Sequence, residues 1–339
     1  MKILVYDVDF RSSGVMYPIK DAIEVNGHIV DMFDWRKYLY TYDKVSFIGR
    51  IQNKIFYDFI TFQINKDLKN VIKKGNYDLF LVVRGERIYP DTLIFAKKFI
   101  PKIVNWSSDD LFNMLNSSKY ILESINLYDI HFSPRKHLKE EYLSKGAKKF
   151  EIIDWYYRPQ FVQEKTPINN INYINDICFI GSWSSRREHI LMSSFDGLDL
   201  KVYGWGWEKK VNQELFPNIT LNKEIRMVDM MSLFTKSKIN INIFTIENRD
   251  RTNLRNFEIS VVGGFQISER SEDLLSIFEE DQEIVCFSSI EELHSKSVFY
   301  LKNDTLREKI ALAGYNKIIN GNNTLLDRVN KIIEIVNKH

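Results

Sequence analysis

Apolar and polar positions follow two patterns along this chain: short runs rich in Val, Ile, Leu and Phe, and longer stretches in which apolar residues recur every three or four positions. Their alternation is the order expected of α/β units around a parallel sheet. In the first half the pattern predicts strands at 2–7, 28–33, 79–83, 102–106, 130–133 and 150–153. It predicts helices ending near residue 25 and covering 58–73 and 90–99. Between 155 and 175 the pattern lapses into Tyr-Arg-Pro, Thr-Pro and an Asn-rich run, which marks a linker. A second alternation follows, with strands at 177–180, 200–203, 219–221, 239–244, 265–268 and 283–287, then helices at 290–301, 304–320 and 325–338. Strand-end loops of two such halves lie where open α/β sheets bind ligands, so a cleft between facing loop edges is expected. In the last helix Leu325, Val329, Ile332, Ile333 and Val336 form a stripe that has to be buried, and Asn320-Gly-Asn-Asn323 before it lets the chain turn.

The stretch from Asn253 to Glu269 passes from helix to strand across Gly263-Gly264. Arg255 and Glu258 share a face of its first turns, where free N–H groups and the helix dipole attract anions. An arginine fork for phosphate beside a carboxylate for ribose hydroxyls suits a nucleoside diphosphate; an intrahelical ion pair is the plain alternative. The loop Gly181-Ser-Trp-Ser-Ser-Arg-Arg187 joins a strand to a helix and brings N–H groups and Arg186 or Arg187 to a phosphate, or is an ordinary turn with exposed arginines. Tyr203-Gly-Trp-Gly-Trp207 either shapes a pocket around a base, through Tyr203 and Trp205, or packs on the neighbouring loop. In the first half, Asp109 and Asp110 at a strand end are candidate general bases, or an N-cap; Glu86 is a second candidate, and Arg11 with Ser13 and Gly14 could touch sugar or phosphate.

Charge changes this picture little. Of 47 basic and 45 acidic residues, 25 and 20 lie in 1–160, so that half carries about +5 and the rest about −3. A basic first half could sit near anionic lipid or receive an acidic acceptor, or simply present solvated faces. Two cysteines, Cys178 and Cys286, sit in apolar runs without metal-ligand spacing, which suits a reducing compartment. No metal site is expected. No run of about 20 apolar residues occurs, and a cytosolic protein, at most peripheral on the inner face of a membrane, is expected.

Taken together, Phe179-Ile-Gly-Ser182 with Arg187, Tyr203-Gly-Trp-Gly-Trp207, Arg255-Asn-Phe-Glu258 with Gly263-Gly-Phe265, and the closing Thr324-Leu-Leu-Asp-Arg328 resemble the GT-B glycosyltransferases related to the spore maturation protein CgeB. The resemblance runs from about 176 to 328 and is weaker over the first half, where 77–84, 90–93 and Asp109-Asp110 fit it. It implies two Rossmann-like domains facing each other across a cleft: an acceptor domain at 1–158, a linker at 159–174, a nucleotide-sugar domain at 175–321, and a final helix at 322–339 crossing back to the first domain. We expect its stripe to pack near 155–159. Carried over, Glu258 holds ribose, and Arg187 and Arg255 with the Gly181-Ser182 loop hold the diphosphate; Asp250 and Asn253 complete the donor set. Asp250 departs from the pattern: related retaining enzymes carry glutamate there, eight positions before Glu258.

The implied activity is transfer of a sugar from a nucleoside-diphosphate sugar to a hydroxyl of a bacterial-type glycan or lipid-linked saccharide, with no cofactor and no metal. Transfer to modified bases in DNA, a sugar-nucleotide epimerase, and a non-catalytic binding protein are the alternatives.

Overall fold

The computed structural model describes residues 1–7, 18–42, 46–159, 162, 172–225 and 227–339. It divides into two compact units: Met1–Asp154, Ile246–Arg249 and Leu325–His339 form the first, and Trp155–Thr245 with Asp250–Thr324 form the second. Most of 159–174 lies outside the described residues, as do Arg11, Ser13 and Gly14.

The first unit holds six parallel strands in the order β2-β1-β3-β4-β5-β6: β1 (Lys2–Asp7), β2 (Ile29–Asp34), β3 (Leu79–Val83), β4 (Lys102–Trp106), β5 (Ile130–Ser133) and β6 (Phe150–Ile152). Central β3 is an unbroken apolar run because both its faces are covered. Helix Tyr57–Gly75 turns Ile60, Ile64, Leu68 and Ile72, four residues apart, into one core with Leu4, Phe80 and Val82. The closing helix, Leu325–Asn337, belongs to this unit and packs against helix Pro18–Val25, with its whole stripe buried. Its start lies at the expected stretch: Tyr157 N–H donates to Asn323 O at 2.9 Å, and Arg328 Nε donates to Asp154 O at 3.0 Å. Trp155 and Tyr157 join Phe244, Phe257 and Phe278 in a core of the second unit, where large rings fill the space. Several helices were not expected, Met227–Thr235 and Phe47–Ile55 the longest of them. Phe47–Ile55, capped by Ser46 Oγ on Gly49 N–H, buries none of its apolar residues.

The second unit repeats the design in the order β12-β11-β10-β7-β8-β9, again all parallel. Its strands are β7 (Asn175–Ile180), β8 (Leu200–Tyr203), β9 (Ile219–Asn222), β10 (Ser237–Asn242), β11 (Gln266–Glu269) and β12 (Val285–Phe287). Strand β10 ends two residues before its expected end at 244, because Phe244 N–H leaves the ladder and donates to Glu269 Oε2 at 3.0 Å. Both cysteines are buried and free. Among the described residues no helix is long and apolar enough to cross a membrane.

Two core positions give tests of this packing. Gly314, inside helix Asp304–Asn320, is where helix and backbone meet: a Cβ there would lie 2.4 Å from Glu283 O. Gly314→Ala should therefore lose about 1–3 kcal/mol by overpacking, against the gain of about 1 kcal/mol that Ala normally brings to a helix. A raised denaturation midpoint would contradict the close approach. His131 in β5 is buried, its Nε2–H donating to Ile125 O at 2.7 Å, and burial pushes its pKa from 6.5 to about 4. The neutral ring is favoured only in the folded state. Its stabilisation is complete above pH 6.5 and is lost as pH falls towards about 4, up to roughly 3 kcal/mol. His131→Leu should lack this part of the acid limb, read by urea unfolding across that window; equal slopes in both proteins would reject the assignment.

Candidate functional site

In the second unit the ends of β7 and β8 are zipped together. Gly181 N–H donates to Tyr203 O at 2.9 Å, and Trp183 N–H donates to Trp205 O at 2.9 Å. Gly204, at φ +152°, has to be glycine, since a Cβ would stand 2.0 Å from Gly181 O. Trp207 is fully buried and donates Nε1–H to the same carbonyl at 2.7 Å, whereas Trp205 stays 62% exposed. The Gly-Trp-Gly-Trp run thus packs on the neighbouring loop and leaves one indole presented to solvent. Helix Ser185–Ser194 starts beside it, capped by Ser184. Arg187 reaches from this helix to Ser182 O at 3.1 Å and Ile243 O at 2.8 Å, bracing the loops after β7 and β10. Arg186 forms a fork with Glu269, whose carboxylate also holds Phe244 N–H.

Helix Leu254–Val261 is set by amides. Asn253 caps it, with a reciprocal bond between Asn253 and Asn256, and Asn253 also exchanges hydrogen bonds with Asn242 of β10 at 3.0 and 3.2 Å. Asn256 Nδ2 donates to Gln266 Oε1 at 3.1 Å and Ser268 Oγ at 3.0 Å; Gln266 Nε2 returns bonds to Asn256 O and Ser260 Oγ. These groups are buried, so each has to find a partner, and the pairing fixes the helix against β10 and β11. The helix then presents Arg255 and Glu258, joined at 2.6 Å, with the guanidinium 5.2 Å over the Phe234 ring. Glu258 is buried and Arg255 half-buried. The intrahelical pair is therefore formed, in the first turns and close to the carboxyl ends of the strands. Asp250 accepts from Thr245 N–H at 3.2 Å and from the Thr245 hydroxyl, closing the loop that leads into this helix.

In the first unit the two neighbouring aspartates differ. Asp110 is fully buried: Oδ1 accepts from Phe112 N–H at 3.0 Å, making a local turn rather than a helix cap, and Oδ2 accepts from Arg249 Nε at 2.5 Å. Arg249 grips Glu141 with both Nη atoms, at 2.5 and 3.0 Å; bonds to Glu141 and Asp110 raise its pKa above the usual arginine range. Asn116 and Arg135 hold the carbonyls of Glu247 and Asn248 at 3.2 and 3.0 Å. Asp109 keeps a partly exposed carboxylate 3.4 Å from Arg84 Nη1. Glu86 is half-buried in the loop after β3, flanked by Arg84 and Arg87, both at positive φ. Arg87 is buried, stacked 4.1 Å over the Tyr57 ring. Sequence reading passed over Asn242, Asn256, Gln266, Arg84 and Arg249. The visible signal for Asn242 and Gln266 was an amide inside a predicted strand; for Arg249 there was none.

Residues 186–334 match the family model described as Glycosyl transferase-like. No curated protein matches the sequence. Among solved structures, the chain superposes over its full length on a sucrose-phosphate synthase from Thermosynechococcus elongatus, with TM-score 0.71, 11% identity and 98% of that chain covered. Anabaena HepE in complex with UDP-glucose gives TM-score 0.63 and 12% identity, with 100% of both chains covered.

The fold is GT-B.

A further GT-B structure, the apo lipopolysaccharide outer core galactosyltransferase WaaB, aligns at TM-score 0.64 and 14% identity over 100% of both chains. Within this GT-B chain the second unit gathers Gly181, Ser182, Arg187 and Tyr203 at paired strand ends, and Asn253, Arg255 and Glu258 on one short helix. The Asp110–Arg249–Glu141 cluster fastens 246–249 to the first unit. Arg249→Met should destabilise the protein by about 1.5–3 kcal/mol, because a buried carboxylate loses its charged partner. Asp110→Asn added to Arg249→Met should recover part of that loss in a denaturant double-mutant cycle; strictly additive losses would show that the two groups are uncoupled.

Proposed function

We propose that the protein is a metal-independent cytoplasmic glycosyltransferase of the CgeB-like group, moving a sugar from a nucleoside-diphosphate donor, with UDP as the carrier, to a hydroxyl of a glycan or lipid-linked saccharide. The observation that carries this reading is the Arg255–Glu258 pair held at the start of a helix by buried amides, inside the stretch that matches the glycosyl transferase-like model. UDP is the carrier suggested by the HepE complex.

In this reading the ribose hydroxyls donate to Glu258, and Arg255 turns its remaining N–H groups to the diphosphate, in the field of the helix amino terminus. Arg187 adds positive charge beside the Gly181 loop, and Trp205 offers an indole face to the base. Transfer breaks the bond between the anomeric carbon and the diphosphate oxygen and leaves negative charge on the departing diphosphate, which the arginines stabilise. The acceptor hydroxyl forms the new bond and gives up its proton. Of the carboxylates expected to take it, Asp109 has the accessible one, and we assign it that role; Asp110 positions the chain around it.

The test is calorimetry with UDP, UDP-sugars and uridine. Glu258→Gln should weaken UDP binding by about 1.5–3 kcal/mol without unfolding the domain, and Arg255→Ala should lose more affinity for UDP than for uridine. Unchanged affinity in folded Glu258→Gln would remove the residue from the site.

A further inference from the structure

Helix Phe47–Ile55 is amphipathic in the wrong sense for a surface helix of a globular protein. At 3.6 residues per turn, Phe47, Ile48, Ile51 and Ile55 fall within about 100° of arc. Phe47, Ile48 and Ile55 are 78%, 69% and 69% exposed. The opposite side is the one that docks. A Cβ on Gly49 would meet Tyr40 O at 2.9 Å, and Asn53 accepts from Tyr40 N–H and donates to Thr41 Oγ1, both at 2.9 Å. Small and polar residues thus face the protein while the apolar arc faces outward. The next helix also leaves Phe59 and Phe62 59% and 54% exposed, while its other face is committed to the core through Ile60 and Ile64. A surface patch of this size calls for an occupant.

Charge identifies the occupant. Arg50 and Lys54, both exposed, flank one edge of the arc, and between residues 46 and 66 three basic residues, Arg50, Lys54 and Lys66, stand against one acid, Asp58. Two-fold pairing of this surface with a second copy would bring these cations together with only Asp58 of each segment to match them. A helix of nine residues is too short to span a bilayer. We infer that this patch is a membrane-docking face: the helix lies in the plane of an anionic lipid surface, its Phe and Ile side chains enter the acyl boundary, and Arg50 and Lys54 reach the phosphates. The inference stands on the first unit alone and does not depend on the donor assignment.

The experiment is flotation of the full chain with vesicles of phosphatidylcholine containing phosphatidylglycerol, and with phosphatidylcholine alone. The protein should float with the anionic vesicles and be released by salt. Replacing Phe47, Ile51 and Ile55 together by Ser should lower the bound fraction roughly tenfold or more while leaving the melting temperature unchanged, since all three are exposed. Arg50→Gln with Lys54→Gln should abolish the preference for anionic lipid. As a second readout, Phe47→Trp emission should shift to the blue on adding anionic vesicles. Failure of the parent protein to float, or a triple variant that floats as well as the parent, overturns the inference. So does a dimer in vesicle-free buffer that the triple variant dissolves while vesicles stay unbound, which would give the face to a second copy.

Discussion

The second unit is organised by the cost of burying amides. Asn242, Asn256 and Gln266 lie where apolar side chains would pack more cheaply, and each left unpaired would lose about 1–3 kcal/mol. They are satisfied only when helix Leu254–Val261 sits in one register against β10 and β11. Apolar packing tolerates small slides; a closed set of hydrogen bonds does not. That rigidity is transmitted to Arg255 and Glu258, whose backbone is part of the same helix. Gly181 O has a similar role on the neighbouring strand ends, receiving Trp207 Nε1–H in the space left open by the missing side chain of Gly204.

The first unit solves its positioning problem with ions. Asp110, Arg249 and Glu141 form a chain of charge in which only Asp110 is fully buried. Because Arg249 remains half-exposed, the cost of desolvation falls mainly on the carboxylate, which also takes a backbone N–H in compensation. Asp109, one residue earlier, escapes this commitment. Two adjacent and chemically identical side chains thereby acquire separate uses, one fastening the chain and one left accessible beside Arg84.

Much of this was legible in the sequence. The twelve strands among the described residues were all marked in the sequence, most plainly the central ones, because in a doubly covered parallel sheet hydrophobicity and strand position coincide. The Arg255–Glu258 pairing was readable from helical spacing alone. Helix Phe47–Ile55 was not, because a pattern search assumes that the apolar face is the buried one, and here it is the Gly49 and Asn53 side that docks. The separate fates of Asp109 and Asp110 were also hidden. They depend on Arg249, 139 residues away along the chain from Asp110, and no local spacing encodes such a meeting.

The discontinuity of both units bears on recombination. The chain changes unit four times, after Asp154, Thr245, Arg249 and Thr324, so no single cut separates them. A chimera that takes its second unit from a relative has to import 155–245 and 250–324 while keeping 246–249 from the parent. A block exchanged whole from 155 to 324 would replace Arg249, and the parental Asp110 and Glu141 would then face whatever tetrapeptide the donor sequence supplied. Compatibility of these few residues, more than of the two large sheets, sets which exchanges of the second unit yield a folded protein.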